Sequence, residues 1–118
     1  MDAAATSTEF IFSQEIEWEQ VAPKLKRKIY GYDDKIMMVK VAFEAGGVGE
    51  IHDHHHSQAT YVESGVFEMT IGDEVKTLRA GDAFYIPPHV SHGCTCTEAG
   101  ILIDVFSPMR EDFIQVGE

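Results

Sequence analysis

Apolar and polar residues alternate in short runs along this chain, and no stretch sustains the period of an amphipathic helix. Phe67, Met69 and Ile71 alternate with Val66, Glu68 and Thr70, the pattern of a half-buried strand. Gly72-Asp73 is a two-residue hairpin turn leading into a second strand, Glu74 to Arg79. Ala80-Gly81-Asp82 turns again into Ala83 to Ile86, and Gly100 to Ser107 reads as the last strand. Lys35 to Glu44 is a longer, largely apolar strand that Gly46, Gly47 and Gly49 break. Nearer the start, Thr8 to Phe12 is a short run of strand type. Ser13 to Ala22 reads as one or two helical turns, with Ser13 as cap and Pro23 as stop. Lys24 to Lys28 reads as a solvated strand edge, its lysines discouraging pairing with other chains. Many short strands separated by Gly, Pro and Asp, with neither repeat nor linker, predict an all-β sandwich or barrel.

Composition narrows the partners. The 118 residues are 44% hydrophobic and 25% charged, which suits one domain. We divide them into an N-terminal tail and arm (1–23) and the main domain (24–118). A net charge of −11 would repel phosphate backbones and anionic lipid, so neither nucleic acid nor membrane is an expected partner. No apolar run is long enough to span a bilayer, and the start lacks the basic and apolar regions of a signal peptide. A frayed tail and a cytoplasmic location are the expectation. Cys94 and Cys96 are too close in one strand for an unstrained disulfide and read as core residues. Trp18 reads as an anchor for the terminal segment, although an aromatic face would also suit a sugar.

The candidate chemistry sits between Gly46 and Gly65, GGVGEIHDHHHSQATYVESG. Side chains two apart on a strand share a face, so His52 and His54 form a pair, and so do His54 and His56. Asp104 interrupts ILIDVFS and shares parity with Leu102 and Phe106, opposite Ile101, Ile103 and Val105. Facing inward, its carboxyl would hold a raised pKa. Strand pattern alone favours an outward Asp104 and an ordinary surface Arg110.

The spacing of the histidine stretch resembles the first motif of the cupins, G-x5-H-x-H-x3-4-E-x6-G. Gly46, His52, His54 and Gly65 fall in register, and Gln58 stands where Glu is usual. The second cupin motif, G-x5-P-x-G-x2-H-x3-N, is met by Gly81, Pro87 and His92, with His89 and Cys96 replacing its inner Gly and its Asn. The resemblance selects His52, His54, Gln58 and His92 as metal ligands and implies a single-domain jelly-roll β-barrel with a short N-terminal helical turn. Three imidazoles and an amide oxygen suit one divalent transition metal ion (Ni, Zn, Mn, Fe or Co) better than Ca²⁺ or Mg²⁺. A neutral Gln leaves the ion's charge less compensated, which favours Lewis-acid work on anionic oxygens. His55, His56 and His89 receive no role.

From about Lys26 to Phe113 the chain is similar to the pectin-degradation cupins of the KdgF type, most clearly in EIHDHHHSQATYV, in FEMTIGDEVKTLRAGDAFYIPPHVSHG and in ILIDVFSPMREDF. That resemblance implies a metal held by His52, His54, Gln58 and His92, with Asp104, Phe106 and Arg110 serving the reaction. It implies conversion of 4,5-unsaturated monouronates to linear 5-keto-4-deoxyuronates, and a homodimer. A metal-dependent cupin dioxygenase, or a cupin that binds a sugar acid without turnover, is the alternative.

Overall fold

The computed structural model describes residues 6–114, so the first five residues of the expected tail lie outside the described residues. Eight strands form one antiparallel sheet: β1 (Glu19–Ala22), β2 (Leu25–Asp33), β3 (Ile36–Phe43), β4 (Val48–His52), β5 (Ser57–Ile71), β6 (Glu74–Arg79), β7 (Ala83–Ile86) and β8 (His92–Ser107). Single 3-10 turns at Ser13–Glu15 and Glu111–Phe113 flank it, the first being the expected helical turn. No helix among the described residues is long and apolar enough to cross a membrane.

The long strands β5 and β8 pair along almost their whole length and form the spine. Each changes its other neighbour halfway. The first part of β5 carries β7 and the second part β6; the first part of β8 carries β4 and the second part β3. Between the halves the ladder shifts register, and Gly65 (φ 87°) lies against Gly100. A Cβ on Gly100 would run into the Ser64 carbonyl, so backbone meets backbone at this bend. The bend folds the sheet onto itself. Phe43 of β3 then meets Phe67 of β5 edge to face at 5.1 Å, in a core with Leu25, Val62, Cys96 and Leu102.

The closed barrel expected from the sequence does not form. The ladder runs β1-β2-β3-β8-β5-β6, with β4 on β8 and β7 on β5, and among the described residues no pairing joins β1 back to β6. Two long bent strands bring the layers face to face, so side-chain packing does what a closing ladder would otherwise do. Three local expectations also change. Thr8 to Phe12 is not a strand, and Phe10 is exposed. The helical reading of Ser13 to Ala22 holds only for its first turn, because Glu19–Ala22 pairs with β2. That pairing covers Leu25 to Arg27, so this part of β2 is no edge: Leu25 is buried, and Arg27 shares its parity. Trp18 lies beneath the Lys26 and Lys28 ammonium groups, each 4.9 Å from its ring.

A candidate metal centre beside a proton-bearing cavity

The fold brings His52, His54 and His92 to one place from three segments: the end of β4, the turn after it, and the start of β8. His52 and His92 are cross-strand partners. One ring nitrogen from each residue lies within 4.8 Å of the others. In each ring Nδ1 faces a backbone carbonyl: Glu50 at 2.8 Å for His52, His56 at 3.1 Å for His54 and Val90 at 2.9 Å for His92. Carbonyls only accept, so each Nδ1 carries the proton and each Nε2 keeps its lone pair.

The donor set fits a cation on two observations. The His92 Nε2 is buried without a hydrogen-bond partner. The His54 Nε2 faces the Gln58 Oε1 at 3.1 Å, two acceptors pointed at one another, because the Gln58 amide nitrogen already donates to Thr60 Oγ1 at 3.0 Å. A divalent metal ion satisfies both. Protonation is the poorer answer. Burial, helped by His52, His54 and Arg110, pushes the His92 pKa down to about 4, and burial and Arg110 lower that of His54. The backbone supports this cluster too: His89 (φ 68°) takes a left-handed geometry that favours glycine, and its N–H donates to the His54 carbonyl at 2.7 Å.

Asp104 faces inward, across the ladder from Thr60. Its Oδ1 accepts from the Thr60 hydroxyl at 2.6 Å and from the Gln58 amide at 3.4 Å. Burial raises its pKa from 3.8 to about 6, against the opposing pull of Thr60, Arg110 and Gln58. Gln58 thus touches both His54 and the acid. His52, Gln58, His92 and Asp104 line a cavity of about 270 Å³ that is otherwise largely apolar, with Phe43, Met69 and Leu102. At its other end Arg110 lies over the rings of Phe106 (5.1 Å) and Phe113 (4.3 Å). Its Nε and Nη2 donate to Asp112 at 3.0 and 2.8 Å, which leaves Nη1 free of that pair.

The sequence reading therefore named seven residues that the fold gathers at this cavity or its rim. It missed Thr60, two residues after Gln58 on the same face, where strand parity was a usable signal. It also missed Arg27, whose guanidinium stacks on Phe113 at 3.8 Å, and Phe113 itself. A second group, His55, His56 and Glu111, has ring nitrogens and a carboxylate oxygen equally close together. There the His56 Nε2 faces two acceptors and carries its proton, so a hydrogen bond already accounts for the arrangement.

Two layers of antiparallel strands around a histidine cluster define a cupin, and the chain belongs to that family: its model, described as "Cupin domain", matches residues 39–106. Within it the chain belongs with the KdgF proteins, being 40% identical over 107 residues to the pectin degradation protein KdgF of Dickeya dadantii (strain 3937), covering 89% of this chain and 97% of that one. Among solved structures it is similar to an RmlC-like cupin from Shewanella frigidimarina NCIMB 400, 44% identical with a TM-score of 0.91 over 93% of this chain and 99% of that chain. The structure of KdgF from Halomonas sp. is 38% identical, with a TM-score of 0.87 over 92% of this chain and 100% of that chain.

Proposed function

We propose that this chain is a metal-dependent enzyme that converts 4,5-unsaturated monouronates, released in pectin or alginate breakdown, to linear 5-keto-4-deoxyuronates. Its kinship with KdgF supports the substrate class. The observation that carries the reading is the chain of contacts from the His54 ring through Gln58 to Asp104, which joins a cation site to a half-buried, inward-facing acid at one cavity.

The reaction is an isomerisation. The anomeric hydroxyl loses its proton, the bond from C1 to the ring oxygen breaks, and an aldehyde and an enol result. The enol oxygen then gives up its proton while C4 gains one, leaving a ketone at C5. In this reading His52, His54, Gln58 and His92 hold the ion, which when bound supplies Lewis acidity toward the substrate's anionic oxygens. Arg110 clamps the carboxylate through the part of its guanidinium that Asp112 leaves free. Asp104, with a pKa near neutrality, carries the proton to or from C4. Phe106 walls the site from water.

The test is incubation of metal-loaded protein with an unsaturated monouronate, following loss of the enol-ether absorbance in the ultraviolet. Absorbance that persists at full metal loading sinks the proposal, and binding without turnover would point to a sugar-acid binder instead. The reading includes a homodimer in the cytoplasm. Met38 of β3, Tyr61 of β5 and Tyr85 of β7 stand exposed on one side of the sheet, with β8 between β3 and β5, and a second copy would bury apolar area there. Sedimentation equilibrium giving a monomer would remove that part.

A further inference from the structure

We infer that His56 is a positioning residue that fixes Arg110 at a set distance from the metal centre. The inference rests on the reading of Arg110 as the carboxylate clamp. His56 is only 4% exposed, and its ring lies far along the chain from its partners. Its Nε2–H is shared between the Met109 carbonyl and the Glu111 Oε1, each at 3.1 Å, so it grips the residues on both sides of Arg110. Both partners accept, which fixes the tautomer and needs no charge on the ring. His56 Nδ1 is buried without a partner, which a bare lone pair tolerates better than an N–H would.

The same residue is tied to the metal centre by its backbone, because its carbonyl accepts the proton of His54 Nδ1 at 3.1 Å. One side of His56 therefore orients a ligand-bearing ring, and the other pins the segment carrying Arg110. Met109, Phe113 and Ile114 also pack against Met37, Val39 and Phe106, and Phe113 lies under Arg27, contacts that can slide. The remaining hydrogen bonds from the sheet to the segment lie before Arg110. Ser107 Oγ donates to the Lys35 carbonyl at 2.8 Å, and the Met109 N–H reaches the Asp34 carbonyl at 3.5 Å. Arg110 itself pairs with Asp112, inside the segment, and so gains no anchor to the sheet from that pair. Stacking on Phe106 sets the guanidinium's plane but lets it slide; the grip on Met109 and Glu111 sets its depth.

The experiment compares His56→Ala, His56→Gln, Arg110→Ala and the Ala double variant. Removing the ring leaves the His56 carbonyl, so metal stoichiometry should stay at wild type. Amide exchange at Phe113 and Ile114, which donate to the Arg110 and Glu111 carbonyls, should accelerate. The KM for unsaturated monouronate should rise roughly tenfold, with kcat changed by no more than about twofold. Gln places an amide N–H near the lost Nε2–H and should restore most of the KM. In the Arg110→Ala background, His56→Ala should add nothing further. Should His56→Ala not fold, Glu111→Ala removes one acceptor from an exposed side chain and should shift exchange and KM in the same direction by less. Unchanged exchange, lost metal, or additive effects with Arg110→Ala would each overturn the inference. A wild type that ignores unsaturated monouronates defeats the functional reading instead, and exchange at Phe113 and Ile114 still decides whether His56 holds the segment.

Discussion

Replacing Asp104 by Asn keeps the shape of the side chain and removes its proton chemistry, and the surroundings of Asp104 give the change two opposed signatures. General acid–base catalysis contributes ~10²–10⁴-fold, so turnover of unsaturated monouronate should fall by about that much. Stability should move the other way. A carboxyl raised from 3.8 to about 6 in the folded protein costs it roughly 3 kcal/mol once ionised. Such a group stabilises the fold fully below pH 3.8 and loses that contribution as pH rises through about 6. Asn stands in for the protonated form at every pH. Its Oδ1 can still accept from Thr60, while its new N–H lacks a partner, which costs about 1–3 kcal/mol.

Metal-stripped Asp104→Asn should therefore melt at or above wild type at pH 7, by at most ~3 kcal/mol, and that relative advantage should vanish below pH 4. Thermal melts across pH on metal-stripped protein, with kinetics and metal content on loaded protein, measure each part. In wild type one limb of the pH–rate profile should have its midpoint at or below about 6, since a nearby dication favours the carboxylate, and the variant should lack it. Wild-type turnover in Asp104→Asn would refute the proton role. A variant less stable at pH 7 but not in acid would show that Asp104 works as an anion pairing Arg110.

Four further outcomes are expected. Arg110→Ala should raise KM before it lowers kcat, by the ~1.5–3 kcal/mol of a charge-assisted contact, read from Michaelis–Menten fits. Gln58→Glu should keep the ion but set a second carboxylate beside Asp104 Oδ1, shifting the pH–rate midpoint upward and weakening binding of the acidic substrate. Metal-stripped protein should lose stability as pH falls from 6.5 toward 4, because unfolded His92 takes up a proton that the folded state resists; flat acid melts would contradict this. Gly100→Ala should destabilise by more than ~3 kcal/mol in denaturant titration, since its Cβ meets backbone at the bend.

What the sequence revealed was what short spacings encode. His52, His54 and Gln58 lie within seven residues from the end of β4 to the start of β5. Local spacing offered two histidine pairs and the cupin resemblance chose between them, and His92 followed from Gly81 and Pro87 in its second motif. The hairpin at Gly72-Asp73 and the strand near Lys35 were readable for the same reason. What stayed hidden depends on pairing between distant segments. The helical reading of Glu19 to Ala22 failed because β2 supplies its partner, and the barrel failed because β5 and β8 are single long strands rather than several short ones. Arg27 looked like one of a solvated cluster until β1 covered its strand. The partners of His56 lie 53 and 55 residues away, beyond the reach of any local pattern.

Asp104 shows how the two kinds of information meet. Parity grouped it with Leu102 and Phe106, but parity does not say which face looks inward. Pairing decides: Thr60 stands opposite Asp104, Val62 opposite Leu102 and Gln58 opposite Phe106. A slip of one residue would turn Asp104 outward and separate it from Thr60 and Gln58. It would also expose Leu102 and Phe106, each worth about 1.5–3 kcal/mol when buried. The same apolar burial that holds β8 in the core therefore holds the acid against Gln58, and the chain has no cheap way to keep one without the other.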